Sequence, residues 1–215
     1  MKILITAGPT REAIDPVRFI SNKSSGKMGY AIADVAAKRG HKVKLISGPV
    51  CLNVPRNVNA IRVVTAMEML RAVEENFSWA DVLIMAAAVA DWRPSKVFSE
   101  KIKKRMKVRS IQLIRNPDIL RKICHVKGNK IVVGFAAETR NLIKEATRKL
   151  KEKKLDMIVA NDVSESRSGF EVDYNRGVLI FPDGTLKTLP VMLKKKMAFI
   201  ILKEVERLYK QKAQK

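Results

Sequence analysis

The sequence predicts an α/β fold: a Rossmann-like, doubly wound and mostly parallel sheet with helices on both faces and a C-terminal strand and hairpin extension. Short apolar runs such as Lys2–Ala7 and Val82–Ala88 show no polar alternation, as expected of parallel strands covered on both faces. Segments with helical periodicity lie between these runs, and strands that alternate with helices are typical of a parallel sheet. No internal repeat or low-complexity linker interrupts the pattern, so we expect residues 1–215 to form a single domain.

The first strand, Lys2–Ala7, is followed by a long loop and then by a predicted helix. Apolar residues recur at i, i+3, i+4, i+7 and i+8 along one helical face, at Met28, Ala31, Ile32, Val35 and Ala36. Gly40 then supplies a C-terminal stop. Val43–Ile46 is the next strand and completes a βαβ unit.

A third and a fourth strand are predicted at Ile61–Val64 and Val82–Ala88. Between them, Thr65 and Glu68 have the spacing of a capping box, which predicts a helix that extends to about Asn76. In such sheets ligands bind beyond the carboxyl ends of the strands. Two loops are therefore expected at the binding edge, the one through Asn22 and the one at residues 89–94.

In the middle of the chain a strongly cationic stretch interrupts the alternation of strands and helices. We expect a mobile basic flap at about residues 95–108 and a short strand at Ser110–Leu113. Asn116 is expected to cap the next helix, with Pro117 at its first position.

The C-terminal part is predicted to continue the sheet and then extend it. The predicted elements are buried strands at Ile131–Ala136 and Met157–Ala160, a basic helix between them, a strand at Val178–Phe181, a hairpin turn at residues 182–185 and a final helix from about Val191. Residues 164–190 exceed what a simple doubly wound sheet needs.

The segment from Ser21 to Gly29 predicts an anion-binding turn. Gly26 and Gly29 allow backbone to approach a ligand closely, and the N–H groups at a helix start attract anions. Lys27 adds positive charge. An ordinary strand-to-helix connection with solvated lysines would have the same composition. The turn is neither a Walker P-loop, because Met28 follows Gly26-Lys27, nor a G-x-G-x-x-G dinucleotide fingerprint directly after the first strand.

Composition restricts the function classes without selecting one. Hydrophobic residues make up 47% of the chain, and no apolar run has the length of a membrane span. The two cysteines are too few for a disulfide framework, so we expect a reducing cytoplasm and buried, unreactive Cys51 and Cys124. The formal net charge of +22 permits a basic α/β nucleic-acid-binding protein. It equally suits an enzyme whose substrates carry several phosphates.

Several segments, in this order and spacing, resemble phosphopantothenate–cysteine ligases, the synthetase half of the bifunctional coenzyme A biosynthesis flavoprotein. The likeness covers nearly the whole chain and rests on ITAGPTREAIDPVRFISNKSSGKMGYAIA from Ile5, AAAVADWRP from Ala86, KIKK from Lys101, NPDIL from Asn116, GFAAET from Gly134, KLKEKKLD from Lys149 and VANDV from Val159. Lys23, where Arg is frequent, and Trp92, where other aromatic residues are common, depart mildly from the family pattern.

The resemblance implies that the chain joins 4′-phosphopantothenate to L-cysteine in coenzyme A biosynthesis. The substrate carboxylate would attack the α-phosphorus of CTP, or of ATP, and form an acyl-nucleotide that the cysteine amine then opens. Mg²⁺ would accompany the triphosphate, through ligands that the sequence does not identify. The flavin-dependent decarboxylase half is missing, so no FMN is expected here, and a separate decarboxylase is a possible partner. The resemblance also implies a homodimer, for which we expect residues 164–190 to be the dimerisation extension.

The family roles fall on specific positions of this sequence. Asn22 matches the asparagine that holds the activated carboxyl, and Lys101 matches the lysine of the flap that closes during catalysis. The implied nucleotide-binding residues are Ala87, Ala88, Asp91, Lys101, Asn116, Pro117, Asp118, Ile119, Phe135, Lys149 and Lys153. The implied phosphate- or substrate-binding residues are Gly8, Ser24, Ser25, Gly26 and Lys27.

A reductase-like dinucleotide binder is disfavoured because the glycine fingerprint is missing. A tyrosine followed four positions later by a lysine is also absent. The nucleic-acid-binding protein stays the alternative to the ligase.

Overall fold

The computed structural model describes residues 1–103, 110–138, 141–162 and 172–214. The elements in chain order are β1 (Lys2–Ala7), β2 (Arg11–Ala13), β3 (Phe19–Ser21), α1 (Lys27–Lys38), β4 (Lys42–Ser47), β5 (Val58–Arg62), α2 (Ala66–Phe77), β6 (Val82–Met85), β7 (Trp92–Pro94), β8 (Leu113–Arg115), α3 (Ile119–Cys124), β9 (Ile131–Glu138), α4 (Leu142–Glu152), β10 (Met157–Asp162), β11 (Tyr174–Ile180), β12 (Leu186–Leu193) and α5 (Lys194–Ala213).

An eight-stranded sheet in the order β12-β11-β10-β9-β6-β1-β4-β5 forms the centre of the protein. The six strands from β10 to β5 are parallel, and β11 and β12 add an antiparallel hairpin at one edge. Ile5 of β1 lies opposite Leu45 on one side and Ile84 on the other. The predicted Rossmann-like class with a C-terminal hairpin is confirmed. The chain places β4 and then β5 on one side of β1, and β6 and then β9 on the other side. Sheets of this kind bind ligands where the strand order reverses, which here is beside β1.

Both faces of the sheet are covered, because the buried strands carry apolar side chains on both sides. Ile3 and Ile5 of β1 belong to the core layer under α1 and α5. Leu4, between them, belongs to the opposite layer, under α2, α3 and α4. This arrangement places the starts of α1 and α5 on one side of the sheet edge and those of α3 and α4 on the other.

Helix α1 and the capping box of α2 form as predicted. Thr65 Oγ1 accepts from the backbone N–H of Glu68, whose carboxylate accepts in return from the backbone N–H of Thr65. The predicted hairpin turn joins β11 to β12, with the Asp183 side chain accepting from the Thr185 amide.

Five predicted boundaries are wrong. The strand expected at Val178–Phe181 lies at Tyr174–Ile180. The strand expected at Ile61–Val64 lies at Val58–Arg62, and the one expected at Ser110–Leu113 lies at Leu113–Arg115. Strand β6 ends at Met85 rather than Ala88, because the Ala87 amide turns to Thr6 Oγ1. The final helix begins at Lys194, since Val191 lies within β12, which pairs with β11 as far as Leu193.

The expected Asn116 cap is also wrong. Asp118 caps α3, with its side chain accepting from the Arg121 amide. Asn116 instead donates to the Ala90 carbonyl at 2.8 Å, so a contact distant in sequence takes the side chain away from the helix start.

Two short hairpins were not predicted, β2 with β3 and β7 with β8. Each strand has three residues, which is too short for alternation to be recognised. Of the predicted flap, residues 96–103 contain no helix or strand, and residues 104–109 lie outside the described part. Of the predicted dimerisation extension, residues 164–171 lie outside it as well.

Candidate active site

A cavity of about 500 Å³ lies beyond the carboxyl ends of β6, β9 and β10. Most of the predicted site residues line it: Asn22, Ser24, Gly26, Lys27, Ala87, Ala88, Asp91, Asn116, Pro117, Asp118, Ile119, Phe135, Lys149 and Lys153. Three predicted site residues, Gly8, Ser25 and Lys101, do not line it. The cavity thus brings together residues from the whole length of the chain at the edge where a parallel sheet binds ligands.

Asn22 directly follows β3 and spans to the loop after β6. Its Nδ2 amide donates to the carbonyl of Ala88 at 3.0 Å and to that of Val89 at 3.2 Å. An amide nitrogen has two hydrogens, so these bonds use its donor capacity and leave Oδ1 as the acceptor that a ligand can meet. Asn22 therefore holds the loop after β6 in place and also presents a polar group to the cavity.

The start of α1 provides the anion-binding geometry that the glycines predicted. Gly26 is the N-cap, in the left-handed region at φ 75°, and its amide donates to Ser24 Oγ at 3.3 Å. A Cβ on Gly29 would lie 2.5 Å from the Ala7 Cβ, so only glycine lets the helix approach β1 this closely. Glycine at the N-cap has no side chain with which to cap the helix, and the start of a helix attracts anions.

The loop after β6 is held by the loop after β1. Ala88 N donates to the Gly8 carbonyl at 2.9 Å, and Ala90 N donates to Thr10 Oγ1 at 3.0 Å. Gly8 therefore does not line the cavity but accepts a hydrogen bond that holds one of its lining residues, Ala88, in place. These bonds fix the backbone of Ala87 and Ala88, whose small side chains let a ligand approach the main chain.

Cationic and acidic side chains alternate on the α3 and α4 side of the cavity. Lys153, at the C-terminal cap of α4, pairs with Asp118 at 2.8 Å, and Lys149 lines the cavity one turn before it. Phe135 supplies an apolar wall from β9. The Asp91 carbonyl accepts from the Asn116 amide at 2.8 Å, which joins the loop after β6 to the segment before α3.

Lys101 is exposed and lies outside the cavity lining. The segment around it, from Phe98 to Ile102, is tied to the turn of the β2–β3 hairpin. Ile102 N donates to the Asp15 carboxylate at 3.1 Å, and Phe98 N donates to the Ile14 carbonyl at 2.9 Å. The hairpin thus holds the segment that carries Lys101.

Three further polar residues line the cavity that the sequence analysis did not identify, namely Asn161, Asn175 and Lys194. Lys194 is 5% exposed, and its burial lowers the pKa of the ammonium to about 8, with nearby Lys27 acting in the same direction and Asp173 opposing. In the sequence it lies in the run Lys194-Lys195-Lys196, where nothing distinguishes a buried lysine from its solvated neighbours. Asn161 is the next-to-last residue of β10, close to the carboxyl end of a parallel strand, a position that could have indicated it.

The described residues contain no group of three or more His, Cys, Asp or Glu side chains placed to hold a metal ion.

The expectation that both cysteines are buried is wrong for Cys51, which is exposed. Cys124 is partly buried, and burial raises the pKa of its thiol to about 11. Among the helices that the structure describes, none has the length and apolar character to cross a bilayer.

Comparisons of the sequence and of the structure with known proteins find relatives of one family. The chain is 47% identical over 210 residues to the coenzyme A biosynthesis bifunctional protein CoaBC of Bacillus subtilis (strain 168), covering 97% of this chain and 52% of that protein. It therefore spans about half the length of the curated relatives it matches. The solved C-terminal domain of a CoaBC protein is 45% identical, with a TM-score of 0.84 and coverage of 98% of this chain and 96% of that one.

A Cab2 variant solved in complex with phosphopantothenate-cysteine has the same fold, with a TM-score of 0.80 at 16% identity, covering 99% of this chain and 87% of that one. The family model of the DNA/pantothenate metabolism flavoprotein C-terminal domain (DFP) matches residues 1–209. The protein therefore belongs to the DNA/pantothenate metabolism flavoprotein C-terminal domain family.

Proposed function

We propose that this chain is a phosphopantothenate–cysteine ligase, which joins 4′-phosphopantothenate and L-cysteine into 4′-phosphopantothenoylcysteine. The observation that carries the proposal is the cavity, in which Asn22 lies between lysines on both sides of the sheet edge. A ligase that activates a carboxylate with a nucleoside triphosphate needs two polyanions held so that their reacting ends meet. The names of the relatives place them in coenzyme A biosynthesis, and the similarity to the CoaBC C-terminal domain supports the same step here.

In the proposed reaction the substrate carboxylate attacks the α-phosphorus and expels pyrophosphate. The cysteine amine then attacks the acyl carbon of the acyl-nucleotide, and the nucleoside monophosphate leaves as the amide forms. Lys149 and Lys153 would hold the triphosphate, and Asn22 would orient the acyl group beside Ala88. Positioning and charge neutralisation supply the rate enhancement, so no covalent enzyme nucleophile is required.

Mg²⁺ would reach the cavity on the nucleotide phosphates, where it neutralises charge on the leaving pyrophosphate. Carboxylates suit this ion, and Asp91 is a lining carboxylate that could add one oxygen ligand. Asp118 is paired with Lys153, which disfavours it as a ligand. We further propose CTP as the nucleotide, with ATP as the alternative, and a cytoplasmic reaction that uses no FMN on this chain.

A homodimer forms part of the proposal, and a separate decarboxylase could take its product. Five exposed apolar side chains lie on the two short hairpins, at Val17, Phe19, Trp92, Leu113 and Ile114. We call these five residues the hairpin patch. Strands β2 and β7 are in contact, so the two hairpins are neighbours, and contiguous exposed apolar surface is typical of protein interfaces.

Pyrophosphate release tests the proposed reaction. The purified protein should release pyrophosphate from CTP plus Mg²⁺ only when 4′-phosphopantothenate is present, and added cysteine should convert the acyl-nucleotide to the amide. A parallel assay with ATP tests the nucleotide preference. A folded protein that releases no pyrophosphate with either nucleotide would contradict the ligase. Tight, strongly salt-dependent binding of RNA or DNA by that protein would favour the nucleic-acid alternative.

A further inference from the structure

A second cavity, of about 640 Å³, lies next to the candidate active site. Asp91 and residues 116–118 line both cavities, so these residues form the wall between them. Five residues line the second cavity and not the first, namely Trp92, Arg115, Arg121, Lys122 and His125. We call this second cavity the outer cavity. The proposed ligase reaction uses none of these five side chains, so a ligand held by them would be additional to its substrates.

Hydrogen bonds hold the wall between the two cavities in place. Asn116 Nδ2 donates to the Ala90 carbonyl at 2.8 Å, and the Asn116 backbone amide donates to the Asp91 carbonyl at 2.8 Å. Arg93 Nη1 donates to Asn116 Oδ1 at 2.8 Å and to the Arg115 carbonyl at 3.0 Å. Because several bonds fix this wall, the outer cavity is preformed, as binding sites for small molecules usually are.

The β7–β8 hairpin supplies a stacking surface on one side of the outer cavity. Trp92 lies directly opposite Arg115 in the antiparallel register, and the Arg115 guanidinium carbon is 5.3 Å from the centre of the Trp92 ring. Trp92 is 44% exposed, although it is large and mostly apolar. Nucleobases stack on aromatic rings and on guanidinium planes. The pair of Trp92 and Arg115 is therefore suited to a base.

The stacking surface occupies one face of the β7–β8 hairpin, and the other face of the hairpin also carries an exposed apolar side chain. Successive residues of a strand point to opposite faces, so Ile114 and its partner Arg93 lie on the opposite face from Trp92 and Arg115. A dimer contact through Ile114 of the hairpin patch therefore does not require the face that carries Trp92.

Helix α3 supplies side chains on the other side of the outer cavity. Ile119 and Ile123 are buried, whereas Arg121, Lys122 and the C-terminal cap residue His125 are exposed. Arg121 and His125 are four positions apart, and Lys122 and His125 are three apart, so the three side chains are neighbours on the helix surface. The exposed side of α3 thus presents a group of nitrogen donors to the outer cavity.

Positive charge exceeds negative charge in the lining of the outer cavity. Two arginines and one lysine are cationic at neutral pH, whereas the carboxylates are those of Asp91 and Asp118. Asp118 is already paired with Lys153 at 2.8 Å. Lys122 lies 4.0 Å from the Glu74 carboxylate, and an exposed ion pair of this kind contributes little. The lining therefore has cationic groups with which to bind a phosphate, for which arginine is well suited.

We propose that the outer cavity is a second nucleotide-binding site, in which the base of a nucleoside monophosphate stacks on Trp92 and Arg115 while Arg121 and Lys122 bind its phosphate. The lining contains one indole ring and thus one place for a base, so the ligand is a mononucleotide rather than a nucleic-acid strand. This site is separate from the cavity in which the proposed ligase would hold its triphosphate, and it does not depend on the ligase reaction.

Equilibrium dialysis of the full chain against radiolabelled AMP tests the second site, because a purine offers a large stacking surface. Arg121→Gln removes the charge that binds the phosphate and should weaken AMP binding roughly 10-fold. Trp92→Leu removes the stacking ring and should weaken AMP binding roughly 5-fold to 100-fold. Arg71→Gln is the matched control, because Arg71 is exposed on α2 and does not line the outer cavity. The control should stay within about 2-fold of wild type.

Two further readouts distinguish the second site from other ways of binding a phosphate. Ribose 5-phosphate carries the phosphate without the base, so it should bind wild type roughly 10-fold more weakly than AMP, and Trp92→Leu should not weaken it further. Lys149→Gln alters the candidate active site and not the outer cavity, so it should leave AMP binding within about 2-fold of wild type. Thermal unfolding checks that each variant is folded. Arg121 is exposed, so Arg121→Gln keeps the test decisive even where Trp92→Leu does not fold.

Equal AMP binding by wild type and Arg121→Gln would overturn the second site, as would a wild type that does not bind AMP. Weakening by Lys149→Gln instead of Arg121→Gln would place AMP in the candidate active site and overturn it as well. Equal affinities for AMP and ribose 5-phosphate would show a surface that attracts any phosphate. None of these measurements uses pyrophosphate release, so the failure of the second site and the failure of the ligase are distinguishable.

Discussion

Asn22 combines a structural and a chemical role in one side chain. Its Nδ2 donates to the carbonyls of Ala88 and Val89, while Oδ1 stays available at the cavity. The family resemblance assigned Asn22 to the activated carboxyl, and the structure adds that the same side chain holds the loop which the carboxyl would touch. Loss of either function should impair turnover more than fold stability, because the residue is exposed.

We predict that Asn22→Ala lowers kcat for amide formation by roughly 100-fold to 1,000-fold, the range seen when one preorganised polar group is removed from an active site. Asn22→Asp keeps an acceptor but cannot donate to the two carbonyls, so it should also be impaired. Single-turnover kinetics with CTP and cysteine measure the effect. Asn59→Ala, at an exposed position of β5, is the control and should keep wild-type kcat. An Asn22→Ala variant with wild-type turnover would refute this role.

At the scale of elements, the β2–β3 hairpin serves as an anchor for the segment that carries Lys101. Asp15 is 2% exposed and accepts from the backbone amides of Val17, Arg18 and Ile102 and from the Arg18 guanidinium. The pKa of the Asp15 carboxyl is well below its ordinary value, and the hydrogen bond from the Arg18 side chain is the largest cause. Because the pKa of Asp15 is lower in the folded protein, its carboxylate stabilises the fold at every pH above the ordinary pKa of 3.8. This stabilisation is lost as the pH falls from 3.8 towards the lowered pKa of the folded protein.

We predict that Asp15→Asn loosens the attachment of residues 98–102, because a neutral amide cannot replace the charged acceptor of Arg18 and Ile102. Trypsin should cleave after Lys101 and Lys103 roughly 10-fold faster than in wild type. Asp183→Asn is the control, since Asp183 also has a lowered pKa and a backbone hydrogen bond but lies in the β11–β12 turn. Equal cleavage rates for wild type and Asp15→Asn would show that the hairpin does not anchor this segment.

At the scale of the whole molecule, the surface combines a large positive charge with two candidate interfaces. The net charge of +22 favours capture of phosphorylated substrates but also opposes self-association. An apolar interface has to overcome that repulsion. The residues of the hairpin patch are between 38% and 58% exposed, whereas the extension predicted at residues 164–190 has Tyr174 and Leu186 as its exposed large apolar side chains within the described part.

We predict a solution mass of twice the 24.2 kDa chain, measured by sedimentation equilibrium. Ile114→Glu places a charge in the hairpin patch and should give the monomer mass. Leu186→Glu makes the same kind of change on an exposed residue of β12 and should leave the dimer intact. A monomeric wild type would remove the homodimer. Dissociation by Leu186→Glu alone would place the interface on the predicted extension.

Much of this protein could be predicted from local sequence patterns. The apolar runs, the helical period of α1 and the Thr65 capping box depend on residues close together in the chain, so they specified the parallel sheet and its covering helices. The rule that parallel sheets bind at their carboxyl edge then predicted the loops through Asn22 and residues 89–94. The start of the final helix was harder to predict, because β12 pairing extends to Leu193.

Only the tertiary structure decided which polar residues share the cavity. Lys27 pairs with Asp173 across 146 positions, and the cavity also has Lys194, Asn161 and Asn175 in its lining. Likewise, the bond between Asp15 and Ile102 across 87 positions forms where short strands leave no periodic signal. Burial of one lysine in a run of three, or exposure of Cys51, depends on packing between distant elements. Sequence periodicity determined the sheet and its binding edge, whereas the lowered pKa of Lys194 and the set of polar residues that line the cavity arise from contacts that only folding creates.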